Sequence, residues 1–95
     1  MNAPQASAAV IELVRGVIAA HLGVPAADVA ATATMGADLA LDSLDVFAVV
    51  AGVGRHHGER VMLNHQDPAV VDRLGDLCSL TVADFAACLL IPQPP

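Results

Sequence analysis

The sequence predicts an all-α domain: a four-helix bundle with a long loop between helices 1 and 2 and a short third helix. Three observations carry that expectation. Alanine supplies 19 of the 95 residues, and alanine leads the helix scale while being depleted in strands. Apolar residues recur every three or four positions in separate stretches, which is the spacing of one helix face. Residues that start and stop helices, among them Ser7, Gly23, Gly58, Asp67, Pro68 and Thr81, bracket those stretches. With 56% hydrophobic and 15% charged residues, the chain is too apolar and too weakly charged for intrinsic disorder. A single domain over residues 1–95 is expected, with residues 1–5 and 92–95 as loosely held ends.

The first helix follows the Asn2-Ala3-Pro4-Gln5 lead, with Ser7 as its N-cap. Val10, Leu13, Val14, Val17, Ile18 and Leu22 form its apolar stripe, Gly23 ends it and Pro25 blocks an early restart. From residue 24 to 41 the periodicity fails. A long loop is expected there, with one helical turn near Ala26 to Val29 and with Val29, Met35, Leu39 and Leu41 as anchors. The second helix opens at Asp42-Ser43-Leu44-Asp45, whose residues suit a helix start by capping and by the macrodipole. Leu44, Phe47, Val50, Ala51 and Val53 are read as its buried stripe, and Gly58 as its end.

Residues 59–66 read as a loop, with Val61, Met62 and Leu63 packed inward. Asp67 followed by Pro68 marks a third helix, with Val70, Val71 and Leu74 on its apolar side and Gly75 as its stop. A last helix capped by Thr81 carries Val82, Phe85, Ala86, Leu89 and Leu90 and stops at Pro92.

Charge narrows the function. Four Arg, no Lys and ten Asp plus Glu give a net charge of −6, which repels nucleic acid phosphates and anionic lipid and suits partners with basic patches. No apolar run approaches the roughly 18 residues of a membrane span, and no signal-peptide pattern opens the chain. A cytoplasmic monomer with neither nucleic acid nor membrane as partner is the expectation. Cys78 and Cys88 lack the spacing of a disulfide framework or zinc site and read as small core residues.

Enzymatic signatures are missing: no G-x-S-x-G, no H-E-x-x-H and no phosphate-binding glycine loop. His56, His57, Glu59 and His65 are the one candidate metal cluster. Adjacent histidines on a helix point about a quarter-turn apart, so these read as solvent-facing helix-end residues, as does His21. Arg15, Arg60 and Arg73 read as ordinary surface residues. Ser43 stands out, an exposed hydroxyl in the first turn of a helix at the end of a long loop. A phosphate esterified there would meet free N–H groups and the positive end of the helix dipole. As an isolated tripeptide, Asp42-Ser43-Leu44 would be only a helix cap.

The wider segment Asp38-Leu39-Ala40-Leu41-Asp42-Ser43-Leu44-Asp45 resembles the attachment segment of acyl carrier proteins, approximately D-L-G-x-D-S-L-D. The resemblance extends to His21-Leu22-Gly23-Val24 at the end of the first helix and Thr81-Val82-Ala83-Asp84-Phe85 at the start of the last. It matches best over residues 10–54 and 77–90. It implies 4′-phosphopantetheine, derived from coenzyme A, on Ser43, whose thiol carries acyl groups as thioesters. It further implies a non-catalytic, standalone carrier whose partners are a phosphopantetheinyl transferase and acyl-loading, condensing and tailoring enzymes. Asp42 matches the acidic residue that the transferases engage around their magnesium ion. Leu44 and Asp45 match positions that meet partner enzymes, with Asp38 nearby.

Two departures qualify the resemblance. The family's second helix continues with glutamates, whereas here the stretch holds Ala48, Val49, Gly52, Gly54, Arg55, His56 and His57. Residues 62–76 also run longer than the family norm. A dedicated partner set, as in polyketide assembly, fits this better than general fatty acid synthesis. The alternatives are a carrier of aminoacyl or aryl groups, or an unmodified helical adaptor in which Ser43 is only a cap.

Overall fold

A computed structural model describes residues 6–58 and 61–91. The expectations for the lead at residues 2–5, for Glu59 and Arg60 and for the tail at residues 92–95 lie outside them. The described chain is mostly helical.

Helix α1, Ala8–Leu22, begins where the Ser7 hydroxyl accepts the Val10 N–H at 3.2 Å and ends at Gly23, whose φ of 73° is left-handed. Val14, Val17, Ile18 and Ala19 are buried, while Leu22, expected on the same stripe, is 37% exposed. The loop after α1 holds one 3-10 turn, Ala26–Asp28. Its apolar residues pin it, with Val29, Met35 and Leu41 buried and Leu39 half-buried. Arg15, expected to be an ordinary surface residue, ties α1 to this loop. Its Nε donates to the Val29 carbonyl at 2.5 Å, its Nη2 to the Ala26 carbonyl at 3.0 Å, and its Nη1 pairs with Glu12 at 2.6 Å.

Helix α2, Ser43–His57, ends at Gly58. Its buried face corrects the expected stripe. Val46, Val49, Gly52 and Val53 face the core, whereas Leu44 is 79% and Phe47 60% exposed, and Ala51 is exposed too. The reason lies at Gly52, where a Cβ would stand 2.7 Å from Val17 Cγ1. Only a residue with no side chain allows α1 this close, so the glycine face is the one that packs.

Two further corrections follow from pairing between distant residues. Met62–Leu63, strand β1, pairs antiparallel with Leu89–Leu90, strand β2, in the register Met62 to Leu90 and Leu63 to Leu89. The last helix, α4, therefore covers only Val82–Ala87, and Leu89 and Leu90 leave it. Met62, expected inward, is 42% exposed, while Val61 beside it is buried. Helix α3 is a single turn, Pro68–Val71, capped by the Asp67 carboxylate on the Ala69 N–H at 3.0 Å. It stops short of the expected residue 74. The chain continues as a 3-10 segment, Leu74–Ser79, kinked where Asp76 takes φ −150° and ψ 53°. Val70 is buried, but Val71 is 47% exposed.

The core lies where α1, α2 and α4 meet over the loop anchors, with Phe85 wholly buried among Val14, Ile18, Met35, Val46, Val49 and Val82. Backbone bonds from Met35 to Leu80, Gly36 to Cys78, Val82 to Ala33 and Ala83 to Ala31 bind the loop to the entry of α4. The chain arriving at α2 is thereby held at both ends. Cys78 is half-buried and Cys88 buried, both as free thiols, and burial pushes the Cys88 thiol above its ordinary range. Arg73, also expected at the surface, is half-buried, and its Nη1 finds no partner among the described residues.

Candidate functional site

Ser43 is the first residue of α2 and is exposed. The helix start is built by a reciprocal pair of aspartates. Asp42 Oδ1 accepts the Asp45 N–H at 2.9 Å, and Asp45 Oδ2 accepts the Asp42 N–H at 3.0 Å. This capping box satisfies two donors with two short side chains. The N–H groups of Ser43 and Leu44, which precede the first intrahelical bond from Val46 to Asp42, have no acceptor among the described residues. Two open amides thus flank an exposed hydroxyl at the positive end of a 15-residue helix, a setting that accommodates a phosphate ester.

The approach to Ser43 is held by local hydrogen bonds. Asp38 Oδ2 accepts the Thr34 N–H at 2.8 Å, the Ala40 N–H donates to the Gly36 carbonyl at 2.9 Å, and the Leu41 N–H donates to the Met35 carbonyl at 3.0 Å. Asp38 therefore closes the loop that delivers the serine. Ala40 is the one described non-glycine residue at positive φ, 57°. A side chain in that region costs about 1–2 kcal/mol, and glycine avoids the cost while adding about 0.5–1 kcal/mol of unfolded-state entropy. Ala40→Gly is expected to stabilise the fold by about 0.5–1 kcal/mol, read as a melting temperature a few degrees higher. A lower melting temperature would contradict the left-handed turn before the site.

Asp45 does more than cap. Its Oδ1 lies 2.8 Å from His21 Nε2, so both carboxylate oxygens are engaged, one across to α1 and one within the cap. The Asp42 N–H first, and then the His21 imidazole, hold the Asp45 carboxyl below its ordinary 3.8, against a smaller opposing effect of desolvation. A carboxylate with a lowered folded-state pKa contributes stability that is fully present above the unfolded value near 4 and is lost as pH falls through the lowered one. Asp45→Asn is expected to flatten the acid limb of the stability profile below about pH 4. Chemical denaturation across the acid range checks this; identical acid limbs in the two proteins would refute it.

Of the expected site residues, the structure brings Asp42, Ser43 and Asp45 into one cap and turns Leu44 outward beside them. Asp38 is instead engaged in the loop. Two neighbours are not legible in the sequence. His21, expected to face solvent, meets a partner 24 residues away that nothing local signals. Phe47, expected in the core, stands on the open face of α2 with Leu44. Between Ser43 and the 3-10 segment lies a cavity of about 170 Å³, lined by Val46, Phe47, Leu74, Gly75, Asp76, Leu77 and Cys78.

Among the described residues, no group of three or more His, Cys, Asp and Glu stands close enough to hold a metal ion. Glu59, placed with His56, His57 and His65 in the candidate cluster, lies outside those residues. No described helix is long and apolar enough to cross a membrane. No family model, curated protein or solved structure matches the chain.

Proposed function

We propose that this chain is an acyl carrier protein that bears 4′-phosphopantetheine on Ser43 and delivers acyl or polyketide intermediates, held as thioesters, to partner enzymes. The observation that carries this reading is the exposed Ser43 hydroxyl at N1 of α2, with two open amides beside it and the Asp42–Asp45 capping box holding it in place. The resemblance of residues 38–45 to the carrier attachment segment points to the same hydroxyl. The residues present fit the group. The Ser43 and Leu44 N–H groups would receive phosphate oxygens, and Asp42, which has one carboxylate oxygen outside the capping box, remains open to a transferase's metal ion. The bound arm supplies the thiol that forms the thioester.

The cavity beside Ser43, mostly apolar and walled by Phe47, Leu74 and Leu77, offers a place for the start of an acyl chain. The outward Leu44 and Phe47 offer partner enzymes an apolar contact next to the arm, worth about 1–2 kcal/mol each when buried. This reading gives the chain no catalytic role. It is the substrate of a phosphopantetheinyl transferase and the cargo-bearer for loading, condensing and tailoring enzymes. The four helices and the long loop after α1 fit a carrier bundle. The shortened α3 and the 3-10 segment mark where this chain would differ in its cargo contacts.

The same exposed Leu44 and Phe47 also suit an unmodified adaptor docking through α2, and one experiment separates the two. The chain is incubated with acetyl-coenzyme A and a broad-specificity phosphopantetheinyl transferase, then treated with neutral hydroxylamine. A carrier gains the acetylated arm and loses only the acetyl group to hydroxylamine. An adaptor keeps its unmodified mass throughout.

A further inference from the structure

The cleft between α1 and α2 is distinct from the Ser43 cap. It is lined by His21 from α1, by Arg55 and His56 from the last turn of α2, by the exposed Ala20 and Ala48, and at its base by the buried Val17 and Gly52. The cleft encloses about 370 Å³. Arg55 lies 12 residues beyond Ser43, about 18 Å along the helix. The Arg55 and His56 side chains are exposed and make no hydrogen bond or ion pair among the described residues. Asp45, the carboxylate that meets His21, is already taken by it and by the Asp42 N–H. In a chain of net charge −6, this concentrates two of four histidines and one of four arginines around a single trough.

We propose that this cleft docks a carboxylate-bearing helix of a partner protein, whose acidic side chains meet Arg55 and His56. Charge complementarity identifies the occupant, because the Arg55 guanidinium is cationic and the Arg55 and His56 side chains have no partner among the described residues. The small side chains of Ala20 and Ala48 on its walls set its shape, since they let a third helix settle into the groove between two others. A partner reaching both ends of α2 would then be basic opposite Asp42 and acidic opposite Arg55. The cleft stands apart from the carrier chemistry and would operate in an unmodified chain as well.

The test uses two probes, a short synthetic helical peptide of Ala, Leu and Glu and its counterpart with Lys replacing every Glu. Each is titrated into the full chain at low salt while backbone amide resonances are followed. Overall charge favours the Lys peptide, so the two effects oppose each other. The proposal expects the Glu peptide to move the amides of Ala20, Ala48, Arg55 and His56 and to release in high salt. The double variant Arg55→Gln/His56→Gln, changed only at exposed positions, should bind it at least about tenfold more weakly. Ser43→Ala should bind it as the unaltered chain does, which separates failure of the cleft from failure of the carrier reading. Unmoved cleft amides with the Glu peptide would overturn the proposal. So would tighter binding of the Lys peptide at the cleft, or shifts of the same amides on simple dilution, which would place a second copy of the chain there.

Discussion

Phe85→Ala is expected to lose about 3–5 kcal/mol of stability, whereas Phe47→Ala is expected to fold as the unaltered protein does. The two phenylalanines are the only aromatic residues in the sequence, and they lie at opposite extremes of burial, 0% exposed for Phe85 and 60% for Phe47. Truncating a buried Phe costs about 3–5 kcal/mol, the lost transfer energy plus a cavity that surrounding side chains only partly fill. The neighbours here are mostly valines, stiff at χ1 and poorly able to move into the space. A domain of this length has a total stability of roughly 5–14 kcal/mol, so the loss consumes a large share of it. Thermal melts should show a fall of about 15–30 °C for Phe85→Ala. Phe47→Ala should change the midpoint by only a few degrees. Equal losses in the two variants would contradict the phase of α2, because Phe47 would then have to be a core residue.

The second large effect concerns the crossing of α1 and α2, tested by a pair of glycine substitutions with opposite expected signs. Gly16 lies on α1, and a methyl added there would meet nothing within 4 Å, so Gly16→Ala should gain the helix-propensity difference of about 1 kcal/mol. Gly52→Ala gains the same propensity but sets its methyl 2.7 Å from Val17 Cγ1. Overpacking of this kind costs about 1–3 kcal/mol, and valine in a helix has no alternative rotamer without strain. The net expectation is destabilisation by about 1–2 kcal/mol. Splaying the helices there should also weaken the His21–Asp45 contact, which spans the same pair of helices. Adding Val17→Ala to Gly52→Ala should recover part of the loss, and a double-mutant cycle on melting or denaturant midpoints measures the coupling. Additive losses would show that the two residues do not touch.

These two pairs of variants also mark where local sequence stops being informative. The ends of α1 are legible because Ser7 and Gly23 act through bonds to residues three or four positions away. The Asp42–Asp45 start of α2 is legible for the same reason, and so is Ser43 at its head. The phase of α2 is not. Its first three turns are apolar on almost every side, so Leu44, Phe47 and Ala51 make one helical stripe while Val46, Val49 and Val53 make another. Side-chain size favours the first stripe. The actual choice is made by Gly52, which matters only through Val17 on another helix. Leu89 and Leu90 continue the period of α4 in the sequence, but their partners Met62 and Leu63 lie well upstream in the chain and draw them into a ladder. His21 and Asp45 form their contact across 24 residues. In each case a contact between distant residues overrides a local pattern.

The candidate site divides along the same line. Its chemistry, one hydroxyl between acidic caps, is local and is carried by the consecutive residues 38–45. Its surroundings are assembled from afar: the cavity from the 3-10 segment Leu74–Ser79, and the cleft lined by His21, Arg55 and His56 from α1 and the end of α2.

The central claim, that Ser43 is the attachment point of a phosphopantetheine arm, is tested most directly by intact mass after incubation with coenzyme A and a broad-specificity phosphopantetheinyl transferase. Three proteins are run together: the unaltered chain, Ser43→Ala and, as a control on another exposed serine, Ser79→Ala. The carrier reading predicts a gain of one phosphopantetheine group in the unaltered chain and in Ser79→Ala, and none in Ser43→Ala. An unchanged mass in all three, or a gain that survives Ser43→Ala, would contradict it.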